Sequence, residues 1–178
     1  MKKYELTNEC ITFTGRKLYR IKALVDFGDV NAGDLGGFVE KEDNLSHDGN
    51  AWVSGDACVY DNARVYDNAC VCGNAWVYGN ACVCGDACVY GDAWVSGNAC
   101  VYGDADYLTI GPIGSRDDTV TFARDKDNKI IVKCGCFTGD IDAFIAEVKE
   151  THGDNKHAKA YLLAAEMAKV RIKLDREA

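Results

Sequence analysis

The sequence predicts a mainly β protein: a parallel β-solenoid with a β cap at its start and a small α+β unit at its end. From Ala51 to Ala105 the chain repeats every six residues, with alanine first and valine third in each of nine units. Each unit closes with Gly-Asn, Gly-Asp or Asp-Asn, residues that let the chain turn after a short strand. A fixed short period of this kind is typical of solenoids, which stack similar units.

The period also predicts the shape of each coil. Residues one and three of a unit point to the same side of a strand, so alanine and valine fill a narrow interior. A strand and a turn every six residues indicate a three-sided prism of about eighteen residues per coil, rising roughly 4.8 Å each. The units thereby resemble the hexapeptide repeat of the left-handed parallel β-helix. Val39 and Leu45 lie in phase with Ala51, which extends the predicted solenoid to residues 39–105.

The outward positions of the coils are unusually apolar. Taking every third unit together gives three faces of the prism, and the first is the most aromatic. The first face carries Cys58, Tyr60, Trp76, Tyr78, Trp94 and Ser96; the second Trp52, Ser54, Cys70, Cys72, Cys88 and Tyr90; the third Arg64, Tyr66, Cys82, Cys84, Cys100 and Tyr102.

An apolar surface of this size indicates an interface rather than a free monomer surface. Hexapeptide-repeat proteins commonly form parallel trimers, so the resemblance implies a homotrimer. Aromatic residues are enriched at interface cores, and the first face is therefore the predicted contact. Its candidate interface residues are Cys58, Tyr60, Trp76, Tyr78 and Trp94.

Charge and hydropathy exclude two kinds of partner. The 178 residues carry a net charge of −8, and Arg64 is the one basic residue of the strict repeat. This balance argues against duplex nucleic acid as a partner. We find no stretch apolar enough to cross a membrane and no secretory signal, so we expect a cytoplasmic protein with reduced thiols.

The ten cysteines do not read as a disulfide framework. Seven occupy repeat positions where other units carry tryptophan, tyrosine, serine or arginine, so they serve as small surface fillers. Zinc usually takes four ligands, and the Cys-x-Cys pairs of the repeat lie on different faces. We therefore predict neither a metal site nor a cofactor. The three pairs are Cys70/Cys72, Cys82/Cys84 and Cys134/Cys136.

Residues 1–38 are predicted to form the N-terminal cap. Residues 1–24 read as a hairpin with its turn at 14–17, and the glycine-rich residues 27–37 read as a loop entering the first coil. Terminal coils expose unpaired backbone, so a solenoid needs such a cap.

Residues 106–178 form the predicted C-terminal α+β unit. Three strands are expected at 106–113, 118–125 and 129–137, followed by helices over 140–152 and 156–173. Thr138 is the predicted cap of the first helix. This βββαα unit is too elaborate to serve only as an end cap, so we expect binding chemistry here. The predicted buried stripe of the second helix is Ala158, Tyr161, Leu162 and Ala165.

The best candidate for that chemistry is the segment Ile110–Asp118. Its glycines free backbone N–H groups just before Ser115 and Arg116, a combination that can hold phosphate or carboxylate. Tyr107 or Phe122 could stack a base. The alternative is a tight turn with a surface arginine, and His152 fits a helix-end role equally well. The candidate ligand-binding residues are Tyr107, Gly114, Ser115, Arg116, Thr119, Thr121, Phe122 and His152.

The chain as a whole resembles small hexapeptide-repeat proteins of bacteriophages and prophages. The motifs that carry the resemblance are RIKALVDFGDVNAGDLGGFVE, the Ala-x-Val-x-Gly-Asn array, IGPIGSR, and CGCFTGDIDAF followed by ETHGD. The resemblance implies a setting, the cytoplasm of an infected host. Phage-encoded oligomers in that setting bind host immune signals, often nucleotides, without cleaving them.

Three functions are compatible with these sequence features. A hexapeptide acyltransferase needs a catalytic histidine on the coils, but the nine strict units contain none, and His47 falls where valine points inward. A non-enzymatic homotrimer could instead sequester a small anionic ligand such as a cyclic nucleotide or an ADP-ribose derivative. A structural trimer could act as an adaptor for a protein partner. We expect the non-enzymatic binding function, with the adaptor function as the alternative.

Overall fold

The nine repeat units form the predicted parallel β-solenoid. The computed structural model describes residues 1–174. Each unit contributes one two-residue strand, at its second and third positions, and each strand pairs in parallel with the strand three units later. The strands are β4 (Trp52–Val53), β5 (Cys58–Val59), β6 (Arg64–Val65), β7 (Cys70–Val71), β8 (Trp76–Val77), β9 (Cys82–Val83), β10 (Cys88–Val89), β11 (Trp94–Val95) and β12 (Cys100–Val101).

The observed pairing confirms the three faces. The first face is β5-β8-β11, the second β4-β7-β10 and the third β6-β9-β12. The alanines and valines of all nine units are buried, with at most 1% exposure. On the outside of the prism, asparagine side chains of successive coils hydrogen-bond with one another: Asn62 donates to Asn80, and Asn80 donates to Asn98. The solenoid is therefore held by one interior stripe and by hydrogen bonds from coil to coil.

The register slips once, at the start of the solenoid. Val39 pairs with Val59 and Leu45 with Val65, offsets of 20 residues, whereas Trp52 pairs with Cys70, an offset of 18. Two extra residues therefore lie in the turn over 46–50. Our phase assignment for Val39 and Leu45 was wrong, because both occupy the valine position rather than the alanine position. An enlarged turn is compatible with the prism since it lies outside the core.

The N-terminal hairpin extends the first face. Strands β1 (Tyr4–Phe13) and β2 (Arg16–Ala23) pair antiparallel, and β2 pairs with β3 (Leu35–Val39), which joins β5. The end of the segment that we predicted to be a loop is therefore a strand. Its glycines fit this place because a Cβ on Gly36 would lie within 2.6 Å of Trp52 and of the Val53 carbonyl oxygen.

The C-terminal unit is one antiparallel sheet covered by two helices. Its strands are β13 (Tyr107–Ile113), β14 (Asp118–Arg124), β15 (Ile130–Cys134) and β16 (Phe137–Asp140), in that spatial order. The predicted third strand is thus two strands, separated by a turn at Gly135. Residues 175–178, at the end of the predicted domain, lie outside the described residues.

Helices α1 (Ile141–His152) and α2 (Lys156–Arg171) begin at side-chain caps. The cap of α1 is Asp140, whose carboxylate accepts the Ala143 N–H at 2.8 Å, so the prediction of Thr138 was wrong. A carboxylate is the better partner here because it also faces the positive end of the helix dipole. Of the predicted α2 stripe, Leu162 is only half-buried. Ala158, Tyr161, Ala164, Ala165 and Ala168 are buried.

A buried ion pair joins the last coil to the C-terminal sheet. Arg124 Nε lies 3.4 Å from Asp106 Oδ1, and both side chains are almost fully buried. Asp106 also accepts the N–H groups of Tyr102 and Gly103. Such a charge pair is stable in the interior because these hydrogen bonds satisfy the other carboxylate oxygen, Oδ2. Neither helix of the described chain has the length and apolar character needed to span a bilayer.

Candidate functional site

Three of the predicted ligand-binding residues line one cavity of the C-terminal unit. Ser115 and Arg116 lie in the turn between β13 and β14, and His152 ends α1. The cavity has a volume of about 240 Å³. It is completed by Cys134, Cys136, Phe137, Phe144, Glu147, Val148, Thr151 and Tyr161.

Two glycine turns shape the mouth of the cavity. Gly114 has φ +82°, and a Cβ there would collide with the Tyr161 hydroxyl. Gly135 has φ +55°, and a Cβ there would collide with the Arg116 guanidinium. Both positions need glycine for its backbone conformation and for the close approach. The two turns therefore bring Arg116 and Tyr161 to the same opening.

Aromatic rings form one wall of the cavity. Phe144 is buried, with its ring centre 5.6 Å from that of Phe137 and 5.8 Å from that of Tyr161. The His152 ring stacks on Tyr161 at 5.7 Å. A cavity with one guanidinium and an aromatic wall can accept an anionic group attached to a flat ring.

The other polar groups of the cavity are mostly neutral. Burial raises the pKa of the Cys134 thiol and of the Tyr161 hydroxyl, so both keep their protons at neutral pH. Glu147 is the one carboxylate in the lining, and its Oε1 lies 3.4 Å from the Thr151 hydroxyl. The site thus combines one fixed cation, neutral donors and one acidic group at its edge.

Four other candidates do not line this cavity, and three of them have a structural partner. Phe122 is fully buried and packs edge-on against Phe144. The Thr121 hydroxyl accepts the Trp94 N–H at 3.0 Å, at the junction with the solenoid. Tyr107 donates from its hydroxyl to the Cys88 carbonyl at 2.8 Å. Thr119 is half-buried on β14 and does not line the cavity.

Sequence reasoning missed most of the cavity wall. It assigned Tyr161 to the buried stripe of the second helix, which is correct but incomplete, since the same ring borders the opening. Cys134 and Cys136 attracted attention only as a metal-binding pair. One feature of the sequence could have indicated these residues. The last strands and both helices were predicted to form one unit, so residues at the ends of these elements could lie near the glycine turn.

His47 does not point into the solenoid, contrary to our prediction. The two-residue insertion places it in the enlarged turn, where its ring stacks on Tyr4 at 4.3 Å. Its Nδ1 accepts the Lys3 N–H at 3.2 Å, and its buried Nε2 lies 3.8 Å from Glu42 Oε2. A histidine whose acceptor nitrogen is already occupied is a poor general base. His47 lines a cavity of about 450 Å³ that also carries Glu42, Asp43, Asp48 and Arg64, so three carboxylates against one guanidinium disfavour an anionic acyl donor.

The hairpin covers part of the first face. Cys58 and Tyr60 are 1% and 6% exposed, because Phe13, Leu18 and Phe38 pack with them. In this conformation they cannot contribute to a contact between subunits, which corrects the prediction for these two residues. The other three candidates, Trp76, Tyr78 and Trp94, are half-buried. Large exposed side chains remain on the second face at Tyr90 and on the third at Tyr102.

Comparison with known protein families agrees with the architecture. The family described as YdcK Beta solenoid repeat matches residues 57–73 and 63–79, which lie within the coils. No curated protein matches the chain. The match spans residues 57–79 of the coils, does not reach the C-terminal unit, and supports the β-solenoid architecture that the strand pairing shows.

Proposed function

We propose that this is a non-enzymatic binding protein whose C-terminal unit captures a small anionic ligand. The observation that carries the proposal is the position of Arg116. Its guanidinium lies against Gly135 at the mouth of a cavity walled by Phe137, Phe144 and Tyr161. A guanidinium is suited to phosphate because its planar fork donates two parallel hydrogen bonds.

The size of the cavity defines the ligand class. At about 240 Å³ it is smaller than the roughly 300–1,000 Å³ of most drug-sized sites. One phosphate and one ring would fill it, and the rest of a dinucleotide would extend into solvent. A nucleotide-derived signal, such as a cyclic nucleotide or an ADP-ribose derivative, fits this description. With a phage origin, the function would be sequestration of a host immune signal in the cytoplasm.

The solenoid would act as a rigid mount and as the self-association surface of a homotrimer. Because the hairpin buries Cys58 and Tyr60, the contact would use the second or third face. Those faces keep Tyr90 60% exposed and Tyr102 37% exposed. Exposed aromatic residues among half-buried thiols are typical of surfaces that associate.

Calorimetric titration with inorganic phosphate, cyclic AMP and ADP-ribose tests the proposal. Arg116→Ala should weaken binding about 10–100-fold, the range for losing a charge-assisted hydrogen bond. Arg64→Ala removes the same charge from the solenoid and is the matched control. Glu147→Gln should tighten binding, since it removes the carboxylate that repels an anion. Equal affinities for the Arg116 and Arg64 variants would exclude this site.

The adaptor function is the second candidate, favoured by one face of α2. Leu163, Met167 and Val170 are 70%, 56% and 88% exposed and lie at helical spacing on one side. Such a row fits a protein partner better than a small ligand. Loss of a pulled-down partner in Leu163→Glu/Met167→Glu, with phosphate binding unchanged, would support the adaptor function.

A further inference from the structure

Three cysteines of the second face meet across two coils. Cys70 and Cys72 are the second and fourth residues of one unit, and Cys88 is the second residue of the unit one coil later. Their Sγ atoms all lie within 4.8 Å of one another, and all three side chains are half-buried. Among residues 1–174, no other set of three histidine, cysteine or acidic side chains meets this condition.

The three sulfurs are spaced for a single metal ion. Three atoms mutually within 4.8 Å have a common centre no more than about 2.8 Å from each, which is 4.8 Å divided by the square root of three. A zinc–sulfur bond is about 2.3 Å. A movement of roughly 0.5 Å per sulfur, within reach of small side-chain rotations, would complete the coordination. All three cysteines are free thiols, so none is committed to a disulfide.

The third face provides an internal comparison. Cys82, Cys84 and Cys100 occupy the same unit positions, yet they do not assemble into such a cluster. There Cys84 is fully buried, and its thiol lies close enough to Tyr66 to raise the pKa of that hydroxyl. The Cys100 thiol likewise raises the pKa of the Tyr102 hydroxyl. Tyrosine hydroxyls therefore engage the thiols of the third face.

On the second face, no tyrosine hydroxyl competes for the thiols in this way. One coil before Cys72 stands Ser54, where the third face has Tyr66 before Cys84. One coil after Cys72 stands Tyr90, whose ring packs against Tyr107 at 6.3 Å. The thiols of Cys70, Cys72 and Cys88 consequently have one another as neighbours, and these neighbours add to burial in raising the pKa of Cys70 and of Cys88. The repeat positions are the same on both faces, and the neighbours decide which thiols are available.

We infer that Cys70, Cys72 and Cys88 form a trithiolate site for a soft metal ion of the copper(I) or zinc(II) class. Thiolates select these ions over hard cations such as magnesium and calcium. Three sulfurs can satisfy copper(I), whereas zinc would take a solvent molecule as its fourth ligand, as in open zinc sites. Our expectation of no metal rested on pairs within one unit and did not consider a sulfur from the next coil.

Metal binding at this site would release protons. Burial, reinforced by the neighbouring thiols, raises the pKa of Cys70 to about 12, and burial also raises that of Cys88. The ion must displace these protons, so its apparent affinity should increase with pH. Without an ion the same thiols stay protonated and weakly reactive at neutral pH.

The test uses the full chain with the exposed Cys10 and Cys136 replaced by serine, and cadmium(II) as the probe. Its thiolate charge-transfer absorption should saturate at one ion per chain. Cys70→Ser should weaken binding at least tenfold, and Cys82→Ser, the equivalent position on the third face, should leave it unchanged. Circular dichroism of each variant verifies the fold.

Two results would overturn the inference: no saturable cadmium absorption in the folded chain, or equal losses in the Cys70 and Cys82 variants. Once cadmium binding is established, competition by copper(I) and by zinc(II) from buffered chelators identifies the preferred ion. Displacement by neither ion at micromolar free concentration would also contradict it. None of these readouts depends on the proposed anion site.

Discussion

The two ends of the solenoid are closed in different ways. At the N-terminal end, Tyr4, Ile21 and Ala23 pack into the same buried cluster as the alanines and valines of the coils. At the C-terminal end, Phe122, Phe144 and Tyr161 belong to a separate core between sheet and helices. The two cores meet at a junction where Tyr107 and Ala123 of the C-terminal sheet join the solenoid cluster and Arg124 pairs with Asp106.

This difference assigns the two ends different roles: the N-terminal hairpin stabilises the solenoid, and the C-terminal unit carries the cavity. A hairpin that shares the solenoid core cannot change without disturbing the coils, so it serves as a structural cap. A unit with its own core can form a cavity at its far side without cost to the solenoid. The molecule offers a probe for each part, because Trp52, Trp76 and Trp94 all lie in the solenoid and both α-helices lie in the C-terminal unit.

The largest expected effect is on the shared core. Tyr4 is fully buried, and its hydroxyl donates to the carbonyls of Glu42 and Leu45. Tyr4→Ala should lower the free energy of unfolding of the solenoid by about 4–5 kcal/mol, through the lost ring and the unsatisfied carbonyls. Urea unfolding followed by tryptophan fluorescence measures this. Tyr4→Phe keeps the ring and should cost only about 1 kcal/mol. An unchanged fluorescence transition in Tyr4→Ala would refute the shared core.

The next-largest expected effect is on the stability of the C-terminal unit alone. Phe144→Ala removes a buried ring that contacts Phe122, Phe137 and Tyr161, and should cost about 3–4 kcal/mol. The helical circular dichroism signal should then be lost at lower urea, while the fluorescence transition stays in place. These measurements use a Trp94→Phe background, because Trp94 lies at the junction and its fluorescence would report on both parts. If both transitions shift together, the two cores are not independent.

The smallest effect concerns the tip of the hairpin. Arg16 pairs with Glu40 at 2.9 Å and with Asp61 at 2.5 Å. Burial acts to raise the pKa of Glu40, but hydrogen bonds from the Asp61 N–H and from Arg16 outweigh it and hold that pKa below its ordinary value of 4.5. The stabilisation is therefore complete above about pH 4.5 and is lost as the pH falls through the lowered pKa.

The hairpin tip should loosen below that pH, and the fluorescence of Trp76 should change because Phe13 packs against it at 4.3 Å. Glu40→Gln should abolish the acid transition and leave the emission at neutral pH nearly unchanged. Glu9→Gln, which removes an exposed partner of Arg20 on the same hairpin, is the control. If the acid transition survives in Glu40→Gln, then other carboxylates cause it and the prediction is wrong.

Much of the architecture was predictable because the six-residue repeat can be recognised from residues that are close together in the chain. A six-residue unit with alanine first and valine third determines which side chains enter the core, and stacking every third unit assigns Trp76 and Trp94 to one face. The hairpin, both helices and the glycine turn before Ser115 also followed from local patterns. These predictions hold because each depends on residues close together in the chain.

The sequence alone determined the prism and its three faces. Only the tertiary structure decided the two-residue slip over 46–50, the burial of Cys58 and Tyr60 under the hairpin, and the approach of Arg116 to Gly135. It also decided that Cys88 completes a cluster with Cys70 and Cys72, while Tyr66 lies beside Cys84, the third-face equivalent of Cys72. The physical reason is the same in each case: these features depend on which distant side chains compete for the same space and the same hydrogen bonds.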